Sequence, residues 1–144
     1  MVKAPLNIFS IQGDDIELLK KFLSSAGSSL ESFRYFESRP LSVLKNHVVT
    51  CILIENDEPV GYGHLDKDGD RVWLGVAVSV NFKGRGFGPM IMDFLLKKAK
   101  EKNIKLLHLA VDKDNKHAVN LYKKFGFVYI WNINERSILM ELNI

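Results

Sequence analysis

Residues 76–96 read VAVSVNFKGRGFGPMIMDFLL, and the order of events within them decides the fold. An apolar, β-branched run leads into Lys83-Gly84-Arg85-Gly86-Phe87-Gly88 and then, past Pro89, into an amphipathic helical pattern. Glycines at alternate positions leave successive backbone N–H groups with no side chain above them. The helix behind adds its own unpaired amides and a partial positive charge. Strand, glycine loop and helix together make an anion cradle suited to a phosphate or pyrophosphate.

Two nucleotide readings of this cradle fail on spacing. A dinucleotide fingerprint needs glycine at the first, third and sixth positions, and the sixth is Pro89 counted from Gly84 or Ile91 counted from Gly86. A P-loop closes with Gly-Lys-Ser/Thr, whereas Gly88 is followed by Pro89 and Met90. A pattern this short also fits an acyl-CoA site, and the rest of the chain decides among these readings.

The rest of the chain sets the frame. Its 144 residues suffice for one domain with a proper core, and 47% apolar with 26% charged residues is ordinary globular composition. A net charge of +3 without a basic tail or stripe argues against nucleic acid and suits a small polyanion. The opening MVKAPLNIF holds no apolar run of signal-peptide length, and residues 48–54 are too short an apolar run to span a membrane. The single cysteine, Cys51, excludes an internal disulfide and fits a reducing compartment, so a cytoplasmic protein is expected. The histidines and Cys51 lack any metal-ligand spacing.

Working outward, residues 6–11 read as a short strand, and Asp14-Asp15-Ile16-Glu17 opens a helix as a capping box. Ile16, Leu19, Leu23 and Ala26 form its inward face, and Gly27 stops it. Residues 30–36 and 41–46 are short helical pieces divided by Arg39-Pro40. Strands are expected at 47–55, 59–66 and 71–80, joined by the loops 56–58 and 67–70 into an antiparallel meander. A helix over 88–102 turns Ile91, Phe94, Leu95 and Ala99 inward, and the strand at 105–111 must run parallel to the one before that helix. The last helix, 116–125, has Ala118, Leu121, Tyr122 and Phe125 on one face, and strands at 127–133 and 136–142 close the chain. The expected fold is α/β: one domain over residues 1–144, with a mixed sheet of about seven strands. The sheet is mostly antiparallel, has one parallel βαβ unit, and is flanked by about four helices.

This order resembles the GNAT superfamily of acetyl-CoA-dependent N-acetyltransferases over nearly the whole chain. The family's pyrophosphate loop, Arg/Gln-x-x-Gly-x-Gly/Ala, falls on Lys83, Gly84, Arg85, Gly86, Phe87 and Gly88, with lysine departing from the first position. Its second motif, Asn-x-x-Ala-x-x-x-Tyr-x-x-x-Gly-Phe, is complete as Asn115, Ala118, Tyr122, Gly126 and Phe127. The resemblance implies acetyl-CoA as co-substrate and no metal. Backbone groups of Val76 and Val78 would then hold the pantetheine arm, Asn115 would contact it, and Tyr122 would protonate the departing thiolate.

The amine must shed a proton before it attacks, which costs a lysine-like ammonium about 4–5 kcal/mol at neutral pH. Val72 and Leu74 stand where family members often carry a base, so His64, on the neighbouring strand with Asp66 and Tyr62, becomes the candidate base or relay. In that reading the loop places His64 beside Val72 or Trp73. His47 and Tyr62 are further candidates for the acceptor pocket, whereas His108 and His117 read as structural or solvated. The segment before the second strand carries Arg34, Tyr35 and Arg39, aromatic surface beside cations that suits an acceptor bearing an anion. The expected activity is direct acetyl transfer to a small-molecule primary amine, with a nucleotide-linked amino sugar as candidate. Acetylation of a protein or peptide amine and a non-catalytic acyl-CoA-binding module are the alternatives, and the sequence leaves open whether the chain acts as a monomer or a homodimer.

Overall fold

The computed structural model describes residues 6–12 and 16–144. Asp14 and Asp15 of the expected capping box lie outside the described residues. The elements are β1 (Leu6–Ser10), α1 (Ile16–Ser25), β2 (His47–Glu55), β3 (Glu58–Asp68), β4 (Arg71–Val78), α2 (Phe87–Glu101), β5 (Leu106–Asp112), α3 (Lys116–Lys124), β6 (Val128–Asn132) and β7 (Ser137–Asn143). The pieces expected within 30–46 are 3-10 turns, Gly27–Glu31, Tyr35–Glu37 and Leu41–Asn46, and a fourth such turn, Val80–Phe82, follows β4. No helix among the described residues is long and apolar enough to cross a membrane.

One sheet orders the strands β1-β2-β3-β4-β5-β7-β6, with β4–β5 as its parallel pair. Both hairpin turns of the meander are tighter than the sequence implies. Asn56 and Asp57 both adopt positive φ (51° and 64°), as a two-residue type I′ connection requires, and Glu55 pairs with Glu58. Asp68 likewise pairs with Arg71 across Gly69-Asp70. Residues 67 and 68 therefore belong to β3, and His64 lies opposite Gly75 rather than Val72 or Trp73. Measured from Trp73 the shift is two residues, which keeps the face and sets a bare glycine where an indole was expected opposite His64.

Alternation along β2 divides the core. Cys51 and Leu53 face α2, packing with Ile91, Met92, Leu95 and Ala99, while Ile52 faces α1 with Leu19, Phe22, Ala26 and Tyr62. Met92 and Phe22 are buried where the helical patterns pointed to Phe94 and Leu23, which are only half-buried. On α3 only Tyr122 is buried, and the half-buried Ala118, Leu121 and Phe125 line a cleft. That cleft exists because β4 and β5 diverge: Trp73 opposite His108 is their single register pair.

Candidate active site

A cavity of about 960 Å³ occupies the gap between β4 and β5 and runs from the glycine loop to the far end of β3. At the loop end, Gly84 and Gly86 take φ of 78° and 82°. A Cβ at either would meet no atom within 4 Å, so the demand for glycine there is conformational rather than steric. Gly86 is also the N-cap of α2 and supplies no side-chain cap, which leaves the first amides of the helix open to a ligand. Lys83, Gly84, Gly86, Phe87 and Gly88 all line the cavity.

Arg85 does not. Its guanidinium forms a two-pronged pair with Glu55 (2.8 Å to each oxygen) and lies over the Phe82 and Phe87 rings, 5.6 and 5.0 Å from their centroids. It fastens the loop to the end of β2 and leaves Lys83 as the loop's own cation on the cavity wall.

The wall beyond is β4 itself, with Leu74, Gly75, Val76, Ala77 and Val78 along the cavity. Ser29 donates a 2.6 Å hydrogen bond to the Val78 carbonyl and so ties the turn after α1 to this wall. Across the gap, Asn115 caps α3 by accepting from the Ala118 amide (3.3 Å), and it lines the cavity as well. Tyr122 is 7% exposed, and its hydroxyl has no hydrogen-bond partner among the described residues. Burial pushes its phenol up to about 12, so it stays protonated at neutral pH.

The acceptor candidates divide into three groups. Arg34 lines the cavity, but its fork is engaged by the buried Asp112 at 2.8 and 2.9 Å. The hydrogen bond and charge of Arg34 hold the Asp112 carboxyl below its usual range, and Ser137 and Arg136 add to the effect. Tyr35 belongs to a directed chain: Thr50 Oγ1 lies 2.8 Å from His47 Nδ1, His47 Nε2 lies 2.7 Å from the Tyr35 hydroxyl, and that hydroxyl donates to Asp66 at 2.7 Å. Arg39 sits 4.3 Å over the Tyr35 ring, and burial holds the His47 imidazole below its usual range. Third, Tyr62 is fully buried and absent from the cavity wall, whereas His64, 2.7 Å from it through Nδ1, reaches that wall. The structure thus gathers Arg34, Tyr35, Arg39 and His64 at one end of the cavity and leaves His47 and Tyr62 behind them.

Asp66, which the sequence places beside His64, shares that end, and so do Asp68 and Trp73, which the sequence reading missed; their alternation with His64 along the hairpin was the available signal. Ser29 and Asp112 had no local signal, since each finds its partner across 49 and 78 residues. Cys51 is buried away from the cavity, and desolvation pushes its thiol up to about 12.

Comparison with known proteins places this geometry. Residues 16–127 match the model of the acetyltransferase (GNAT) family. Over 76 residues the chain is 34% identical to a [ribosomal protein bS18]-alanine N-acetyltransferase of Haemophilus influenzae, a match spanning about half of each chain (52% and 51%). The GNAT domain of S. lividans PAT superposes with a TM-score of 0.83 at 16% identity, covering 96% of this chain and 90% of that one. The PaiA N-acetyltransferase of Thermoplasma acidophilum, solved in complex with coenzyme A, superposes with a TM-score of 0.77 at 16% identity, covering 97% and 99%. The chain belongs to the acetyltransferase (GNAT) family.

Proposed function

We propose that the chain transfers an acetyl group from acetyl-CoA directly to a primary amine of a small molecule. The observation that carries this reading is the pairing of an open amide cradle with an unpartnered, protonated phenol in one cavity. The cradle fits a pyrophosphate, because Gly84 and Gly86 put no side chain in its way and Lys83 adds a cation. The diverging edge of β4 offers backbone groups of Val76 and Val78 to an extended pantetheine arm, as an added strand would use them. An arm laid along that edge carries the thioester toward Tyr122, whose hydroxyl is free to donate to the leaving sulfur. Direct transfer is favoured over an acyl-enzyme because Cys51 is inert by burial and lies outside the cavity.

At the acceptor end the charge of Arg34 is taken up by Asp112, and two further carboxylates, Asp66 and Asp68, line the wall beside Arg39. That balance complements the positive charge of the amine itself more than an anionic substituent on it. A peptide amine is the second reading, favoured by the alanine N-acetyltransferase among the relatives. Mass-spectrometric product analysis with acetyl-CoA and a panel of polyamines, amino sugars (nucleotide-linked and free) and peptides tests both. Acetylated small amines with unmodified peptides are the expected result; the reverse pattern assigns the peptide reading, and no acetylated product overturns the proposal.

A further inference from the structure

His64 is 2% exposed in the middle of β3, yet its ring reaches the cavity. It does so because Gly75 lies opposite: a Cβ at that position would stand 2.4 Å from His64 Nε2. Phe33, Tyr35, His47 and Tyr62 surround the ring, with centroids 6.1, 4.2, 4.8 and 5.5 Å away. Nδ1 is bonded to the Tyr62 hydroxyl at 2.7 Å, and Nε2 has no partner among the described residues.

The tautomer follows from the partners. Tyr62 is fully buried, and its single hydroxyl proton has no acceptor other than His64 Nδ1. Were the ring to donate through Nδ1, that phenol proton would be stranded in a dry site, a cost folded proteins avoid. Tyr62 therefore donates, Nδ1 accepts, and the proton of the ring sits on Nε2, facing the cavity. A second proton would have to displace the Tyr62 bond. The charged and titratable groups around the ring are Tyr35, His47, Tyr62, Arg39 and Asp66. Only Asp66 would favour a cation there, and it already accepts the Tyr35 proton. Burial, with His47 and Arg39 nearby, holds the ring neutral well below the usual imidazole range.

We propose that His64 serves the site as a fixed hydrogen-bond donor, its Nε2–H directed to an oxygen of the reacting pair beside Gly75, and that Tyr62 is the positioning residue that sets the tautomer. The proposal rests on the N-acetyltransferase reading above. The oxygen is either the carbonyl of the acetyl thioester or one carried by the acceptor. In both cases His64 does not take the proton of the amine.

Long-range 1H–15N NMR of the full chain, labelled at histidine and free of ligand, reads the tautomer directly. Expected is a His64 ring protonated at Nε2 only and unchanged from pH 5.5 to 8.5. A proton on Nδ1, or a titration within that range mirrored in the rate, overturns the proposal. Tyr62→Phe keeps the ring packing and removes the group that anchors Nδ1, so the orientation of the ring should loosen and the transfer kinetics should change in one of two ways. A kcat lower by about 10²-fold with acceptor KM unchanged assigns the donor to the thioester oxygen. An acceptor KM raised about tenfold with kcat unchanged assigns it to the acceptor. Wild-type kinetics in Tyr62→Phe overturn the proposal. His64→Gln, which retains an N–H donor, should stay well above His64→Leu; equal loss in the two, with wild-type transfer intact, is also a failure. Absence of acetyl transfer by the wild-type enzyme is instead a failure of the N-acetyltransferase reading, and the NMR result separates the two.

Discussion

Tyr122 shows what a single residue must do here. Full proton transfer from a phenol near 12 to a thiolate whose conjugate acid is near ~8.5 is uphill by about 5 kcal/mol. The same desolvation raises the basicity of a thiolate buried beside it, which narrows that gap. Donation to the sulfur as the carbon–sulfur bond breaks is therefore the useful role, and it needs a hydroxyl that no protein group has claimed. Tyr122→Phe should lower kcat by about 10²-fold while acetyl-CoA affinity, measured by calorimetry, stays near wild type. Wild-type turnover would reduce Tyr122 to packing. This residue was legible because its spacing from Asn115, Gly126 and Phe127 survives any change of tertiary detail. The charge state of Arg34 was not, because its partner Asp112 lies on another element 78 residues away.

At the scale of elements, the loop before α2 works through its backbone and the hairpin before it works through register. Gly86→Glu puts a side chain on a residue at φ 82° and a carboxylate at the mouth of an amide cradle. Backbone strain and like-charge repulsion then act together. Acetyl-CoA binding should fall below detection by calorimetry while circular dichroism still reports a folded protein; unchanged affinity would mean the pyrophosphate lies elsewhere. The succession of elements, the parallel pair and this loop were readable from glycine spacing and apolar periodicity, whereas the insertion of β7 between β5 and β6 was not. The position of His64 was not, since a four-residue loop and a two-residue turn look alike in Lys67-Asp68-Gly69-Asp70, and only pairing of Asp68 with Arg71 selects Gly75 as its neighbour. The expected inner face of α3 failed in part for another reason: apolar residues that line a ligand cavity carry the same pattern as those that fill a core.

Across the whole molecule, the two halves of the sheet meet at one β4–β5 pair and are otherwise joined by α2 and by side chains that bridge the cavity. Arg34 to Asp112 is one such bridge, and Arg136 donating to the Glu31 carbonyl at 3.2 Å is another. The Asp112 carboxyl titrates below its unfolded value near ~3.9, so its contribution is fully present above that pH and is lost as pH falls through the folded value. Asp112→Asn should cost about 2 kcal/mol at pH 7. The difference in Tm from wild type should shrink as pH drops below about 4. A gap that does not change with pH would show that shape, rather than charge, holds the bridge.

The divergence of β4 from β5 has a further meaning for the folded state. A sheet opened in its middle leaves main-chain donors and acceptors without strand partners, a deficit that proteins ordinarily confine to outer edges. The co-substrate proposed above is shaped to fill that deficit, which makes it a missing strand as well as a reagent. By mass action, a ligand at a hundred times its Kd adds about 2.7 kcal/mol to stability. An increment of that size rivals the bridge across the cavity, so a chain that takes the proposed co-substrate would be most stable when loaded for reaction.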